Sequence, residues 1–489
     1  MKKIINYDTL NSPLHIDSSF SPPLGKGTVE RSYFFIINIM IISLFFTGCV
    51  VFQSKNSSVV PPRSEAKKPV ISDWLMIDTV KLDSYFDTLF ENNRFMGSIA
   101  ISHNSELLYT KSVGFLDFDR DIKVNIDTKY RIGSVTKTFT AVLVLKAVEE
   151  NKLNLQQTIE DFFPEIINAE MITIENLLRH RSGIPDLHSE EENWVSRYYT
   201  EQELISLIAV RGSDFEPDSK FYYSNPNHIL LGFILQRLYE KTYAEILDEK
   251  IVKPLGLKNT YVGNDIINIL DNEADSFNWF GIPSKSEEDM SILIGTGSIT
   301  STPIDLTIFG NALFNGKLIS NESLNEMREK GMSLGRGNFN DNLFHGHHGA
   351  IGGFYTSFCY FPDKNIATTW TSNDINFSSS DIDDILRSAV FDIPYDIPDF
   401  EQLASEFEKY VGVYLNEEYG LTITVSIENY QLFITGSGIP FQLPLQQAGK
   451  DKFDFSVAFI AVQFDKSKNT MILKQGREGE TEIIFTRDE

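Results

Sequence analysis

Three short clusters carry the residues able to do chemistry: Ser134-Val135-Thr136-Lys137, Tyr223-Ser224-Asn225 and His347-His348-Gly349. Between them they supply a hydroxyl nucleophile, an amine, a phenol, a side-chain amide and a histidine able to serve as a strand-edge cation. Such a set suits acyl transfer through a serine, which needs a neighbouring base and donors for a developing oxyanion. Residues i and i+3 share a helix face, so a helical segment puts Lys137 beside Ser134. A lysine partly desolvated there has a lowered pKa and can take the serine proton. A helix start also offers backbone N–H groups to the oxyanion. The competing reading is an N-cap serine with a surface lysine. The pattern recurs at Ser64-Glu65-Ala66-Lys67, but that segment is charged and flanked by prolines, unsuited to a rigid site.

Pro226 and the apolar run His228–Leu235 follow the second cluster, so Asn225 can be the N-cap of a helix that Pro226 opens. The functional reading makes Tyr223 a proton relay and Asn225 a donor towards the substrate carbonyl, and the two roles of Asn225 are compatible. Tyr414-Leu415-Asn416 repeats the pattern without the other groups. His345, His347 and His348 invite a metal, since imidazoles are common ligands. No Asp, Cys or further His follows at short spacing to complete a set, so no metal is expected.

Holding these groups takes rigid elements. Thr136 to Glu150 reads as a helix apolar all round, hence buried. Lys81 to Phe90 has helical apolar spacing, and further helices are expected at 201–210, 227–241 and 303–314. Gly97–Ser102 and Glu106–Thr110 read as strands about a turn at His103-Asn104-Ser105, and strand-like runs return at 354–361 and 366–371. Cys359, inside Phe358-Cys359-Tyr360-Phe361, is expected to be a buried core residue rather than a reactive thiol. Strands first, helices in the middle and strands last give an α+β domain whose sheet closes late in the chain. Near Pro398 the texture changes. Leu421–Ile427 and Phe453–Val457 alternate in period two, which predicts a small all-β domain, a barrel or sandwich.

A chain of 489 residues with 42% apolar and 23% charged residues is ordinary for a globular protein of two or three domains. The formal net charge of −25, with no basic block, argues against nucleic acid as a partner. Two cysteines, Cys49 and Cys359, cannot build a disulfide framework. Arg31, the apolar run Tyr33–Phe46 and Thr47-Gly48-Cys49 describe a secretory signal, short of the roughly 20 residues of a membrane-crossing helix. A plain signal or an uncleaved anchor is the competing reading. The expected organisation is an N-terminal extension and signal over 1–49, a Ser- and Pro-rich tether over 50–73, a hydrolase domain over 74–397 and an accessory β domain over 398–489.

With these residues in place the chain resembles the penicillin-recognising serine hydrolases, which include class C β-lactamases, D-alanyl-D-alanine carboxypeptidases, D-amino-acid peptidases and related carboxylesterases. Ser134 and Lys137 fit the Ser-x-x-Lys motif, Tyr223 and Asn225 the Tyr-x-Asn motif, and His347 and Gly349 the Lys/His-x-Gly motif. Leu177–Pro185, Pro254–Thr260, Gly295–Leu306 and Gly353-Phe354 match lesser landmarks, and the likeness covers about 80–395. The resemblance implies a β-lactamase-like fold, an antiparallel sheet flanked by helices plus an all-helical region, with the last 90 or so residues as a barrel-like accessory domain. It implies an acyl-enzyme on Ser134, proton traffic shared by Lys137 and Tyr223, and substrate positioned by Asn225. His347 supports the proton network or a substrate carboxylate, and the backbone N–H groups of Ser134 and Ala350, beside Gly349, form the oxyanion hole. No cofactor is implied. His180, in a landmark loop, is expected to hold that loop by hydrogen bonds. Phe46-Thr47-Gly48-Cys49 resembles a lipobox, implying a lipid on Cys49 and a place in the bacterial cell envelope.

Two departures matter. His-x-Gly replaces Lys-Thr-Gly, and a neutral histidine holds a β-lactam carboxylate less firmly than a permanent ammonium. Glu216-Pro217-Asp218 replaces the usual Pro-Gly turn. The expectation is a serine hydrolase cleaving a small-molecule or peptide ester or amide. The alternative is a penicillin-binding or sensor protein with little turnover.

Overall fold

The computed structural model describes residues 77–488 except 118–120, 188–196, 279–281, 284–288, 456–459 and 477–480. Cys49, the Ser64 repeat and the whole of the segment read as signal and tether lie outside these residues.

Two strands open the sheet, β1 (Phe95–His103) and β2 (Glu106–Val113), and four close it much later: β3 (Gly335–Phe339), β4 (Asn342–Ile351), β5 (Phe354–Phe361) and β6 (Ile366–Ile375). Their order is β3-β4-β5-β6-β1-β2, all antiparallel. The β1–β2 turn uses Asn104 and Ser105 at φ 50° and 68°, the left-handed region in which asparagine is well tolerated. The β6–β1 pairing, Ile99 opposite Trp370, joins segments far apart in sequence and completes the sheet.

The strands alternate in period two between two cores. On β5, Phe358 and Tyr360 enter one apolar cluster, and Cys359 and Phe361 enter the other. Helices α1 (Thr79–Glu91) and α7 (Ser379–Val390) cover the Cys359 side, with Leu82, Phe86, Ile382 and Leu386 fully buried. Burial pushes the Cys359 thiol up to about 11, so it is an inert core residue.

Between α1 and α7 in the chain come α2 (Thr136–Glu149), α3 (Glu201–Val210), α4 (Pro226–Tyr239), α5 (Pro303–Phe314) and α6 (Asn321–Lys330), which build the helical side. Every residue of α2 from Thr136 to Leu145 is buried. Phe309 of α5 stacks on Phe139 of α2 at 3.8 Å and meets Phe358 of β5 at 6.0 Å. That aromatic file fixes α2 against the sheet, and with it the turn that carries Ser134.

Helix α8 (Phe400–Phe407) precedes the C-terminal strands, where sequence patterning gave strand alone. Eight strands follow: β7 (Gly412–Asn416), β8 (Leu421–Glu428), β9 (Gln431–Gly436), β10 (Ile439–Gly449), β11 (Lys452–Phe455), β12 (Ile460–Asp465), β13 (Thr470–Gln475) and β14 (Thr481–Arg487). They close into a barrel, which leaves no unpaired sheet edge. Val425, Ile434, Leu445, Phe453 and Met471 are among the side chains that fill it, so its interior is a packed core.

Candidate active site

Ser134 sits in a single 3-10 turn, Gly133–Val135, immediately before α2. The turn is held from both sides. Upstream, Tyr130 and Arg131 pair with Ser301 and Thr300. Downstream, Thr136 Oγ1 accepts the Ile299 N–H at 3.1 Å, and Thr140 Oγ1 donates to the Gly295 carbonyl at 2.6 Å. Gly133 has φ 50°, and a Cβ there would lie 2.8 Å from the Ala350 nitrogen. A Cβ on Gly349 would lie 2.0 Å from the Ile132 carbonyl oxygen and 3.0 Å from the Ser134 nitrogen. Strand β4 therefore runs in backbone contact with the nucleophile turn, and only glycine allows that approach.

The amine of Lys137, fully buried one helical turn on, donates to Ser134 Oγ at 2.9 Å and to the Thr296 carbonyl at 3.0 Å. The Tyr223 hydroxyl donates to the same Oγ at 2.8 Å, and the Lys137 ammonium position lies 5.0 Å from the Tyr223 ring centre. Amine and phenol thus converge on one hydroxyl.

Asn225 heads α4, with Pro226 in the first turn, but its side chain makes no capping bond. Its backbone is already helical, at φ −63° and ψ −41°, which turns the amide towards the site instead. There Oδ1 accepts from Thr296 Oγ1 at 3.0 Å, and the backbone N–H donates to Asp186 Oδ1 at 2.9 Å. Thr296 thus ties Lys137 to Asn225. It lies in the Gly295-Thr296-Gly297 landmark, the signal that could have singled it out. Asp186, one residue past the Leu177–Pro185 landmark, gave no sequence signal.

The histidines diverge. His345 is buried, accepts from Arg328 Nε at 3.1 Å and faces the Phe314 ring. His348 points to the other face of the sheet and donates to Asp383 Oδ2 at 2.7 Å. Burial opposes ionisation of Asp383, but Arg387 and His348 hold it well below the usual carboxylate range. His347 remains at the cleft, half-buried. Its Nδ1 lies 2.6 Å from the His348 carbonyl, which can only accept, so Nδ1 carries the proton and Nε2 the lone pair. Burial and then the nearby Lys137 push its pKa down to about 3. With that shift the ring is neutral at physiological pH. Among the described residues no group of His, Cys, Asp and Glu could hold a metal ion.

His180 does more than hold its loop. Its Nδ1 accepts the Ser224 N–H at 3.2 Å and lies 3.2 Å from Asn227 Nδ2. Its ring stacks on Tyr223, centroids 4.4 Å apart, with His228 behind at 5.0 Å. Burial, then Lys137, keeps His180 neutral, its pKa well below the ordinary range. In the altered turn, Asp218 takes the left-handed conformation at φ 62° and pairs with Arg181 at 2.5 Å. A glycine role is thus filled by a residue that pins the loop.

The Beta-lactamase family model matches residues 82–390, and the chain belongs to that family. It is a serine hydrolase of the penicillin-recognising group. It is similar to Penicillin-binding protein 4* of Bacillus subtilis (strain 168), 24% identical over 82% of this chain and 97% of that protein. The teichoic acid D-alanine hydrolase of Staphylococcus aureus (strain MRSA252) is 27% identical over 46% of this chain and 55% of that protein. Among solved structures, the octameric penicillin-binding protein homologue from Pyrococcus abyssi superposes with a TM-score of 0.62, at 21% identity, over 84% of this chain and all of that one. The D-amino acid amidase from Ochrobactrum anthropi SV3 does so at 0.57 and 24% identity, over 63% of this chain and 99% of its own. At these identities the two structures speak to the fold.

Proposed function

We propose that the chain hydrolyses a carboxylic ester or amide through an acyl intermediate on Ser134. The observation that carries this is the convergence of the Lys137 amine and the Tyr223 hydroxyl on Ser134 Oγ, at 2.9 and 2.8 Å. As a free amine, Lys137 takes the Ser134 proton while Oγ bonds to the carbonyl carbon. Tyr223, hydrogen-bonded to the same oxygen, passes the proton to the leaving group as its bond to carbon breaks. Water then attacks the acyl-serine by the reverse proton path. The backbone N–H groups of Ser134 and Ala350 are the oxyanion donors in this reading, supported by the seating of Gly349 against the turn. Asn225 positions the acyl group from the opposite wall. His347 offers its neutral Nε2 to the proton network.

A bacterial cell-envelope location, with a lipid on Cys49, remains the reading of the N-terminal segment. Among the described residues no helix is long and apolar enough to cross a membrane. Loss of fatty-acid labelling in Cys49→Ala tests the lipid, and labelling that persists overturns it.

Ser134→Ala is expected to abolish labelling by a fluorophosphonate and to cut nitrophenyl ester turnover by roughly 10³-fold or more. Equal labelling of both forms would remove the serine mechanism. Labelling of the native protein without turnover would identify an acyl trap rather than an enzyme.

A further inference from the structure

Tyr222-Tyr223-Ser224 belongs to no helix or strand, yet its middle residue holds a phenol 2.8 Å from Ser134 Oγ. A group that relays a proton needs close placement, and a shift of about 1 Å costs on the order of 10²-fold in rate. His180 grips this segment on both sides of Tyr223. Its carbonyl accepts the Tyr222 N–H at 3.0 Å, and its Nδ1 accepts the Ser224 N–H at 3.2 Å. Between those two bonds its ring lies along the Tyr223 ring, centroids 4.4 Å and planes 25° apart. One residue thus meets three consecutive residues, through its main chain, its ring face and a ring nitrogen.

The grip is itself held. His180 is 4% exposed and takes the left-handed conformation, φ 53°, which persists in residues other than glycine where the surroundings over-determine it. A backbone N–H can only donate, so Nδ1 carries the lone pair. Asn227 agrees with that assignment. Ser182 Oγ donates to Asn227 Oδ1 at 2.6 Å, which leaves Asn227 Nδ2 as the atom facing His180 Nδ1 at 3.2 Å. Behind the ring stands His228, its centroid 5.0 Å away and its Nε2 2.5 Å from Ser333 Oγ.

We propose that His180 is a positioning residue for proton transfer: by holding Tyr222 and Ser224 it keeps the Tyr223 hydroxyl aimed at Ser134 Oγ and at the leaving group. It touches none of the reacting atoms. The proposal rests on the acyl-serine reading above, in which Tyr223 hands on the proton. In that step the bond from carbonyl carbon to leaving oxygen breaks. The leaving oxygen gains the proton that Ser134 lost, by way of Lys137 and Tyr223.

Phenyl acetate and para-nitrophenyl acetate test this. Both transfer an acetyl group, but nitrophenolate leaves readily without a proton and phenolate does so far less well. The rate to read is that of phenol release, which reports acylation whether or not the acyl-serine is later hydrolysed. Glycine and asparagine both tolerate the backbone of His180, and asparagine alone places an oxygen near the position of Nδ1. In His180→Gly the ratio of the nitrophenyl to the phenyl rate is expected to rise by about tenfold, as in Tyr223→Phe. In His180→Asn it is expected to stay within about threefold of the native ratio. With Tyr223→Phe already present, His180→Gly is expected to move the ratio no further. Equal loss of both rates in His180→Gly, or a ratio raised as far in His180→Asn as in His180→Gly, overturns the proposal alone. Nitrogen NMR of the native protein needs no variant. It is expected to show His180 protonated on Nε2 only, and a proton on Nδ1 overturns the proposal as well. A ratio unchanged in Tyr223→Phe overturns the proton path through Tyr223. Absence of both phenol release and Ser134 acylation in the native protein overturns the acyl-serine reading itself. This proposal falls with either.

Discussion

Four buried or half-buried histidines, His180, His228, His345 and His347, all titrate below an ordinary imidazole, and burial is the leading cause at each. They are neutral where they serve as acceptors or stacking partners, and the fold pays for protonating them. The sign follows from linkage. In the unfolded chain each binds a proton near pH 6.5, whereas folded His345 does so only near 4. Between these values the unfolded chain holds more protons, so stability rises with pH and is complete above about 6.5. His345 alone accounts for on the order of 3 kcal/mol at neutral pH, as an upper figure before local relaxation. Asp383, a carboxylate held low by Arg387 and His348, loses its contribution only in stronger acid. The urea midpoint is therefore expected to drop between pH 6.5 and 4.5, and His345→Gln should flatten part of that drop. A midpoint constant over this range would show that the histidines protonate freely in the folded state.

At the scale of elements, the site depends on a strand pressed against a turn. Gly349 of β4 has no room for a side chain, because the Ile132 carbonyl oxygen occupies the place of its Cβ at 2.0 Å. Gly349→Ala must push β4 off the Ser134 turn or distort the turn itself. Overpacking of this kind costs about 1–3 kcal/mol, and here it also displaces the Ala350 N–H from Ser134. The expected result is a loss of kcat of about 10²-fold, the size seen when one oxyanion donor is removed, with a lowered melting temperature. Wild-type kcat in the variant would mean that the strand does not supply a donor. Much of this arrangement was legible from sequence. Helix α2, the Pro226 start of α4, the β1–β2 hairpin and the residues converging on Ser134 all carry strong local signals. Helix α6 was not expected because Asn321–Lys330 is mostly polar, with Leu324 and Met327 as its buried apolar contacts. Helix α7 carries Ile382, Leu386 and Val390 on one face, a periodic signal that was present but passed over. The turn of the Asn225 amide away from capping was not legible at all. It depends on Asp186 and Thr296, brought to it by tertiary structure across 39 and 71 residues of chain.

At the scale of the whole molecule, the barrel is joined to the hydrolase fold by a buried polar latch. Arg94, 3% exposed, sits just before β1, and its guanidinium donates to the Asn429 carbonyl at 3.0 Å and to the side-chain oxygen of Gln431 at the head of β9. Gln431 Nε2 donates to Asn376 Oδ1 at 2.9 Å and to the Leu445 carbonyl at 3.3 Å. Asn376 closes the circuit by donating its N–H to the Arg94 carbonyl at 2.9 Å. Phe400 of α8 lies 4.9 Å from the guanidinium and shields it from water. Burial lowers the Arg94 pKa to about 10, which still leaves it charged at neutral pH. A buried cation held by neutral oxygens is tolerable only while those oxygens are in place. Gln431→Leu removes one of them and keeps the side-chain volume. It is expected to cost about 1–3 kcal/mol, the penalty for an orphaned buried donor, and more because the donor is charged. That cost falls on the junction, so calorimetry is expected to show one transition for the native protein and two for the variant, the barrel melting first. The rate of Ser134 labelling should stay within about twofold, because additive behaviour is the rule for groups that share no partners. A single unshifted transition in Gln431→Leu would mean that apolar contacts around α8, and not the latch, couple the two domains.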